Sequence, residues 1–267
     1  MDAKNPKTLF DLTIQCLLRH ESAAIQALED IPRNLFVPLF IAAFKGGHKK
    51  ILSEMVKVWP FYCLHLGTLT VREPQHELLK AMIENLPVYP ARNSSSRVLP
   101  PNLDFLYLSF CDISYRDFRF LAQCPQASHL KMLNLSNNTM YWDDFEPFQT
   151  LLLNLSGTLK HLEINHCLIK DSAISVLIPA LMRCTHLRVL NFASNPITMP
   201  MLVNIMHRLT PLMKLKYVIY PIPLHCYERW HFQGRLDRRR LAVVQLQLNA
   251  LLHIAGRHDM KWITYAE

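Results

Sequence analysis

Leu103-Asp-Phe-Leu-Tyr-Leu-Ser-Phe-Cys-Asp-Ile113 fits the frame L-x-x-L-x-L-x-x-N/C-x-L. Three later stretches repeat it: Leu130-Leu133-Leu135-Asn138-Met140, Leu159-Leu162-Ile164-Cys167-Ile169 and Leu187-Leu190-Phe192-Asn195-Ile197. A degenerate fifth copy opens at Leu212-Leu215-Tyr217, and successive starts lie 27, 29, 28 and 25 residues apart. That spacing belongs to the long leucine-rich repeats, whose periods run from about 20 to 29 residues. In each copy the L-x-L step puts two apolar side chains on one face of a short strand. One coil cannot bury that face alone, so stacked coils must bury it together. Cys111, Asn138, Cys167 and Asn195 stand where the chain leaves the strand. An Asn there turns inward to satisfy loop backbone groups and a Cys fills the same space, so Asn138 and Cys167 read as scaffold.

Helix signals fall between the strands. Ser114-Tyr-Arg-Asp117 has the form of a capping box before Phe118. Asp143 or Asp144 opens a stretch to Leu155, Asp171 opens Ser172 to Cys184, and Pro200 suits a first helical turn. Pro179 is expected to kink or shorten its helix. Strand plus helix in each unit makes the fold class α/β, a leucine-rich-repeat horseshoe or solenoid with parallel strands on the concave side. The repeats are assigned to residues 103–220 and a C-terminal cap with a basic helix to 221–267.

Residues 1–86 read differently. Helical patterns at about 7–19, 21–29, 34–45 and 47–58, followed by a short extended piece from Cys63 to Leu69, suggest a helical N-terminal cap. Such a cap is what an array needs to cover its first coil. Residues 87–102, with Asn93-Ser-Ser-Ser96 between prolines, read as a linker or irregular loop.

Composition narrows the function classes. Half of the 267 residues are apolar, which excludes general disorder. The longest apolar run, Leu35 to Phe44, is 10 residues and contains Pro38, against about 20 for a membrane span. Met1 to Lys7 is polar, with no visible secretory signal. Seven cysteines, four at corresponding repeat positions, point to buried thiols in a reducing compartment. The net charge of +8 is densest from Arg235 to Arg240. No stacking aromatics interleave that cluster, so a solvated helix face or a site for an acidic protein surface is preferred over nucleic acid. With six glycines and no Gly-rich phosphate loop, catalytic triad or paired carboxylates, the chain is not expected to be an enzyme or to hold a cofactor. His161, His166 and Cys167 lack a CxxC partner, and core or surface roles are preferred to a metal site.

Asp30-Ile-Pro-Arg-Asn-Leu-Phe-Val-Pro-Leu-Phe-Ile-Ala-Ala-Phe44 and Met55-Val-Lys-Val-Trp-Pro-Phe61 resemble the N-terminal region of the PRAME family, germline and cancer-testis leucine-rich-repeat proteins. Leu162-Glu-Ile-Asn-His-Cys-Leu-Ile169, Val218-Ile-Tyr-Pro-Ile-Pro-Leu224 and Arg235-Leu-Asp-Arg-Arg-Arg-Leu241 extend the resemblance over nearly the whole chain. It looks most like the rodent oogenesin-like branch. Family members are longer, so the resemblance implies an array shortened in the middle with a seam near residues 87–102. It also implies that the chain stops before the Cys-rich tail of some members.

The resemblance implies a role as substrate receptor of a cullin-RING ubiquitin ligase, joined to elongins B and C through a BC box and to a cullin through a Φ-Pro element. Thr8-Leu9-x-x-x-Thr13-x-x-x-Leu17 has the BC-box spacing, with Thr13 where the pattern prefers Cys. Ile31-Pro32 matches the Φ-Pro element. The helical spacing by itself makes Leu9, Leu12 and Leu17 an ordinary packing face, and both readings stay open. An unidentified protein substrate would then bind the concave face through strand positions Asp104, Tyr107, Lys131, Asn134, Lys160, Glu163, Arg188 and Asn191. Each of these also reads as a solvated strand residue.

A second implied partner is a nuclear receptor, through the LxxLL motif of Leu248, Leu251 and Leu252. This would make the chain a corepressor of retinoic-acid signalling, acting on differentiation, proliferation and apoptosis. Those leucines also make a packing face for a C-terminal cap. The family's location is cytoplasmic and nuclear.

Overall fold

The computed structural model describes residues 8–66, 76–85, 103–228 and 234–265. The expected linker at 87–102 lies outside them. The chain divides into two compact units, one of Met1–Tyr62 and Leu69–Leu103, the other of Cys63–Thr68 and Asp104–Glu267.

The first unit is helical. Its elements are α1 (Leu9–Arg19), α2 (Glu21–Gln26), a 3-10 turn at Leu28–Asp30, α3 (Arg33–Lys45), α4 (Lys49–Lys57) and α5 (His76–Glu84). Helix α1 starts at a capping box, with the Thr8 hydroxyl accepting from the Asp11 amide and the Asp11 carboxylate accepting from the Thr8 amide. This satisfies two backbone donors that a helix start otherwise leaves orphaned. Helix α3 packs on α1 and α4, and α4 on α2 and α5. Trp59 is the aromatic hub, edge-on to Phe40 at 4.8 Å and to Phe36 and Phe61 at 5.6 Å. Helix α3 runs through Pro38 without a break.

The second unit is a leucine-rich-repeat solenoid of α/β class, built on a seven-stranded parallel sheet in sequential order. Its strands are β1 (Cys63–His65), β2 (Phe105–Tyr107), β3 (Met132–Asn134), β4 (His161–Glu163), β5 (Val189–Asn191), β6 (Tyr217–Ile219) and β7 (Lys261–Ile263). Every strand is in register with its neighbour, so Leu64, Leu106, Leu133, Leu162, Leu190, Val218 and Trp262 form one continuous buried row. The helices are α6 (Tyr115–Gln123), α7 (Glu146–Asn154), α8 (Asp171–Arg183), α9 (Met199–Leu209) and α10 (Arg238–Ile254), and α6 to α9 pack in sequence. The Ser114–Asp117 capping box forms as read from the sequence, and Pro200 sits in the first turn of α9.

Four expectations are corrected. The sheet extends one strand beyond residues 103–220 at each end, through β1 and β7. The fifth coil is framed by Leu215, Val218 and Tyr220, all buried, rather than by Leu212, Leu215 and Tyr217. Tyr217 is 46% exposed because the register pairs it with Val189 on the solvent face. Pro179 does not shorten α8, which continues to Arg183, the longest of α6 to α9. Helix α7 starts at Glu146, with Asp144 accepting from its amide at 2.8 Å.

The strand exits show why Asn and Cys alternate. Asn138 Oδ1 accepts from the amides of Cys111 (3.0 Å) and Ile113 (3.3 Å), while its Nδ2 donates to the Leu108 and Leu135 carbonyls at 2.8 and 2.7 Å. Asn195 does the same one pair of coils later: it accepts from Cys167 and Ile169 at 3.1 and 3.0 Å and donates to Ile164 and Phe192 at 2.9 and 2.7 Å. Each Asn thus clamps the loop of the preceding coil, and the coil so clamped needs only a small Cys of its own. The clamp holds Phe110, Asn137, His166 and Ser194 at positive φ, five residues after each strand start. Asp112 and Leu168, in the two Cys coils, also lie there. Side chains other than Gly, Asn and Asp seldom occupy that region, so the buried clamp must hold the turns against it.

Candidate functional site

Two surfaces contain the residues that the sequence pattern singles out, one on each unit. On the helical unit, the capping box fixes the start of α1 and presents Leu9 in its first turn. Leu9 is 82% exposed, Leu12 49% and Phe10 39%, while Ile14 on the opposite side is buried. Thr13 and Leu17 are half-buried. Leu9, Thr13 and Leu17 recur every four residues and therefore form one stripe along the helix. The Thr13 hydroxyl donates to the Leu9 carbonyl at 2.9 Å, so this residue has its donor satisfied within the helix and remains small. After the 3-10 turn, Ile31 is half-buried and Pro32 exposed, ahead of α3.

The strands of the solenoid present a second surface. Alternation puts the first and third residue of each strand on the solvent side and the middle one in the core. Tyr107, Asn134 and Glu163 lie on that side, half-buried. Asn134 Nδ2 donates to Glu163 Oε2 at 3.0 Å, and burial raises the Glu163 pKa above the usual carboxylate value. Tyr107 stacks on His65 at 3.9 Å with its hydroxyl on the Met132 sulfur. Burial is the main cause raising its pKa and also the cause lowering that of His65. Asn191 is instead 5% exposed, its side-chain oxygen accepting from the Ala193 amide, so it serves the turn more than the surface.

Asp104, Lys131, Lys160 and Arg188 belong to a different row, just before the strands. Backbone bonds from Lys131 to Asp104, Lys160 to Lys131 and Arg188 to Lys160, at 2.7 to 2.8 Å, align them coil on coil. Lys131 pairs with Asp104 at 2.6 Å.

The positions missed by the sequence reading are Phe105, Met132, His161, Val189 and Tyr217, the first residue of each strand from β2 to β6 and of the same face. A strict period of two from Tyr107, Asn134, Glu163 and Asn191 leads to four of them. The pKa of His161 is lowered, first by burial and then by Arg188 and Lys160.

The LxxLL leucines lie on α10, where Leu248 is 1% and Leu252 6% exposed. Leu251 is half-buried and lines an apolar groove with Met199, Pro200 and Val203 of α9. The motif is therefore part of the packing of the C-terminal coil and is not presented as a free helix face.

Burial holds the Cys111 and Cys184 thiols at about 12 and Cys167 at about 11, far from a reactive thiolate. Among the described residues, no group of three His, Cys, Asp or Glu side chains is placed to hold a metal. No described helix is long and apolar enough to cross a membrane. In the basic tail, Arg257 is 4% exposed. It bonds the carbonyls of Thr210, Leu212 and Leu215 together with Asp259, so it locks the final turn.

Comparison with known proteins agrees with this architecture. Residues 6–111 match the PRAME N-terminal domain and residues 92–264 the PRAME C-terminal domain. Rat leucine-rich repeat-containing protein 14 is 35% identical over 170 residues, 61% of this chain and 34% of that protein. Human PRAME family member 8 is 34% identical over 152 residues, 57% of this chain and 31% of its own length. The chain thus spans about a third of the curated relatives it matches. Among solved structures, leiomodin-1 actin-binding site 2 aligns with a TM-score of 0.41 at 16% identity, covering 58% of this chain and 82% of that one.

Proposed function

This chain belongs to the PRAME family, and we propose that within it the chain acts as a substrate-recognition adaptor of a cullin-RING ubiquitin ligase. Helix α1 would dock on elongin C, Ile31-Pro32 would approach the cullin, and the strand face of the solenoid would hold the protein to be modified.

The observation that carries this reading is the 82% exposure of Leu9. An apolar side chain at the capped start of a helix, beside exposed Leu12 and Phe10, gains nothing from folding of its own chain. Such a side chain suits a hydrophobic pocket on a partner, in the manner of a helix laid in a groove. Burying it there is worth about 1.5–3 kcal/mol. Thr13, one turn on, is small enough to let the helix approach closely, and its hydroxyl makes no demand on the partner.

The adaptor performs no bond chemistry itself. Holding a target beside the loaded ubiquitin carrier replaces a bimolecular encounter by a local one and raises effective concentration. The reading needs no cofactor and suits cytoplasm and nucleus. The alternative, repression of retinoic-acid signalling through Leu248, Leu251 and Leu252, would require those leucines to leave the core, and the burial of Leu248 and Leu252 counts against it.

The test is co-purification from cells of the wild-type chain beside a Leu9→Ala, Thr13→Ala double variant, probed for elongins B and C and for cullin. Recovery with wild type and loss in the folded variant are expected. Absence of both elongins from the wild-type material would remove the adaptor reading.

A further inference from the structure

The row of residues just before the strands has a charge pattern that the fold itself does not need. Lys131, Lys160, Arg188 and Lys216 occupy the same position in four consecutive coils, tied by backbone bonds of 2.7 to 2.9 Å. Neighbouring strands are about 4.7–4.9 Å apart, so four cationic residues stand in line with their backbones at that spacing. Like charges directly opposite one another destabilise a sheet. The ends of the row are relieved within the chain: Lys131 pairs with Asp104, and Lys216 with Asp259. Lys160 and Arg188, in the middle, make no ion pair among the described residues, and the carboxylate nearest along β4, Glu163, is held by Asn134. Their field reaches the strand face, where it contributes to the lowered pKa of His161. Alongside the row runs the first strand position, with half-buried Phe105, Met132, His161 and Val189 and exposed Tyr217.

We propose that Lys160 and Arg188, flanked by this row, apolar on either side of His161, form the docking site for an acidic protein segment carrying apolar side chains. The proposal deepens the role of the strand face as the target surface and rests on that reading. Charge complementarity selects the occupant. Carboxylates of the chain already sit on both ends of the ladder, and the two central cations offer the same bond to a carboxylate supplied from outside. An extended segment places alternate side chains on one side about 6.6–6.8 Å apart, within the reach of Glu side chains meeting two splayed cations. The residues between them turn toward Met132 and Val189. A nucleic acid would find the charge but only the half-buried His161 ring beside it to stack on, since Phe105 and Tyr217 lie at opposite ends of the row.

The experiment uses the whole purified chain and a fluorescein-labelled peptide of Glu residues interspersed with Leu, read by fluorescence anisotropy at low and high salt. A copy with every Glu replaced by Gln is the probe control. The protein variants are Lys160→Glu with Arg188→Glu on the ladder, and Arg183→Glu with Arg208→Glu on helix ends, which change net charge equally. Saturable binding that weakens with salt is expected, together with a loss of about tenfold or more in the ladder variant alone, because two attractive pairs become repulsive ones. Equal loss in both variants, or equal binding of the Gln peptide, would overturn the proposal. So would no binding to wild type, or tighter binding of a single-stranded oligonucleotide at the same ladder. No elongin or cullin is present, so failure here is separate from failure of the adaptor reading.

Discussion

Replacing Asn195 by Ala should be among the most damaging single changes in the solenoid. The side chain is 2% exposed and makes five hydrogen bonds across two coils. Of its backbone partners, the Ala193 carbonyl keeps a bond from the His166 amide. The amides of Cys167 and Ile169 and the carbonyls of Ile164 and Phe192 lose their clamp. A buried polar group left unpaired costs about 1–3 kcal/mol, so four at the low end give a loss of about 4 kcal/mol. A typical domain has only about 5–15 kcal/mol in total. Asn165 provides the control: it stands in a neighbouring coil, and its buried side-chain oxygen has no hydrogen-bond partner. Asn165→Ala should change stability by no more than about 0.5 kcal/mol. The assay is urea unfolding followed by circular dichroism, paired with hydrogen exchange at the amides of Cys167 and Ile169, which should lose protection only in Asn195→Ala. A cost below about 1 kcal/mol for Asn195→Ala, or equal costs for the two variants, would refute the clamp.

Arg257→Ala, by orphaning the carbonyls of Thr210 and Leu215 while that of Leu212 keeps its bond from the Leu215 amide, should cost about 2 kcal/mol or more in the same unfolding assay. Arg257→Lys should restore only part of this, because an ammonium cannot reproduce the guanidinium fork. The lowered pKa of His161 and His65 means that the unfolded chain binds protons more readily than the folded one below the ordinary value of 6.5. Their contribution to stability is present above pH 6.5 and is lost as pH falls through that value towards the folded pKa. His161→Gln should therefore flatten the pH dependence of the unfolding midpoint on the acid side of 6.5. Thiol labelling at neutral pH should modify exposed Cys16 in the native chain and reach Cys167 and Cys184 only after unfolding, as mass spectrometry of labelled peptides can establish.

The leucine frame made the repeats legible because the two L-x-L positions in the coils of β2 to β5 are occupied by Leu, Ile or Phe at a steady period. Legibility failed where chemistry substituted for that pattern. In the fifth coil Val218 and Tyr220 fill the buried positions, while Leu212 resembles a frame leucine from the turn after α9. The shortened interval of 25 residues was the sign of the wrong register. Strand β7 buries a Trp where the frame has Leu, and β1 stands 42 residues before β2, so no constant period points to either. Arg257 was unreadable as a lock because a cation in a basic tail looks solvated until three carbonyls surround it. For the candidate surfaces, helical spacing located the Leu9 stripe but could not say whether it faced the core. The strand face is legible only in part: the residue after the frame leucine belongs to the row of Lys160 and Arg188, whereas Phe105, Met132, His161, Val189 and Tyr217 fall at a variable position of the frame that carries no fixed residue type. The clamp residues Asn138 and Asn195 were legible in full, because a buried amide beside orphaned backbone groups has little else to do.

The most direct test of the adaptor account is a calorimetric titration of the purified full chain with purified elongin B–elongin C complex, repeated with Leu9→Ser. The account predicts saturable binding by wild type and its loss in Leu9→Ser, with the unfolding midpoint unchanged because that side chain is already exposed. Heat of binding undiminished in Leu9→Ser, or none with wild type, would contradict it.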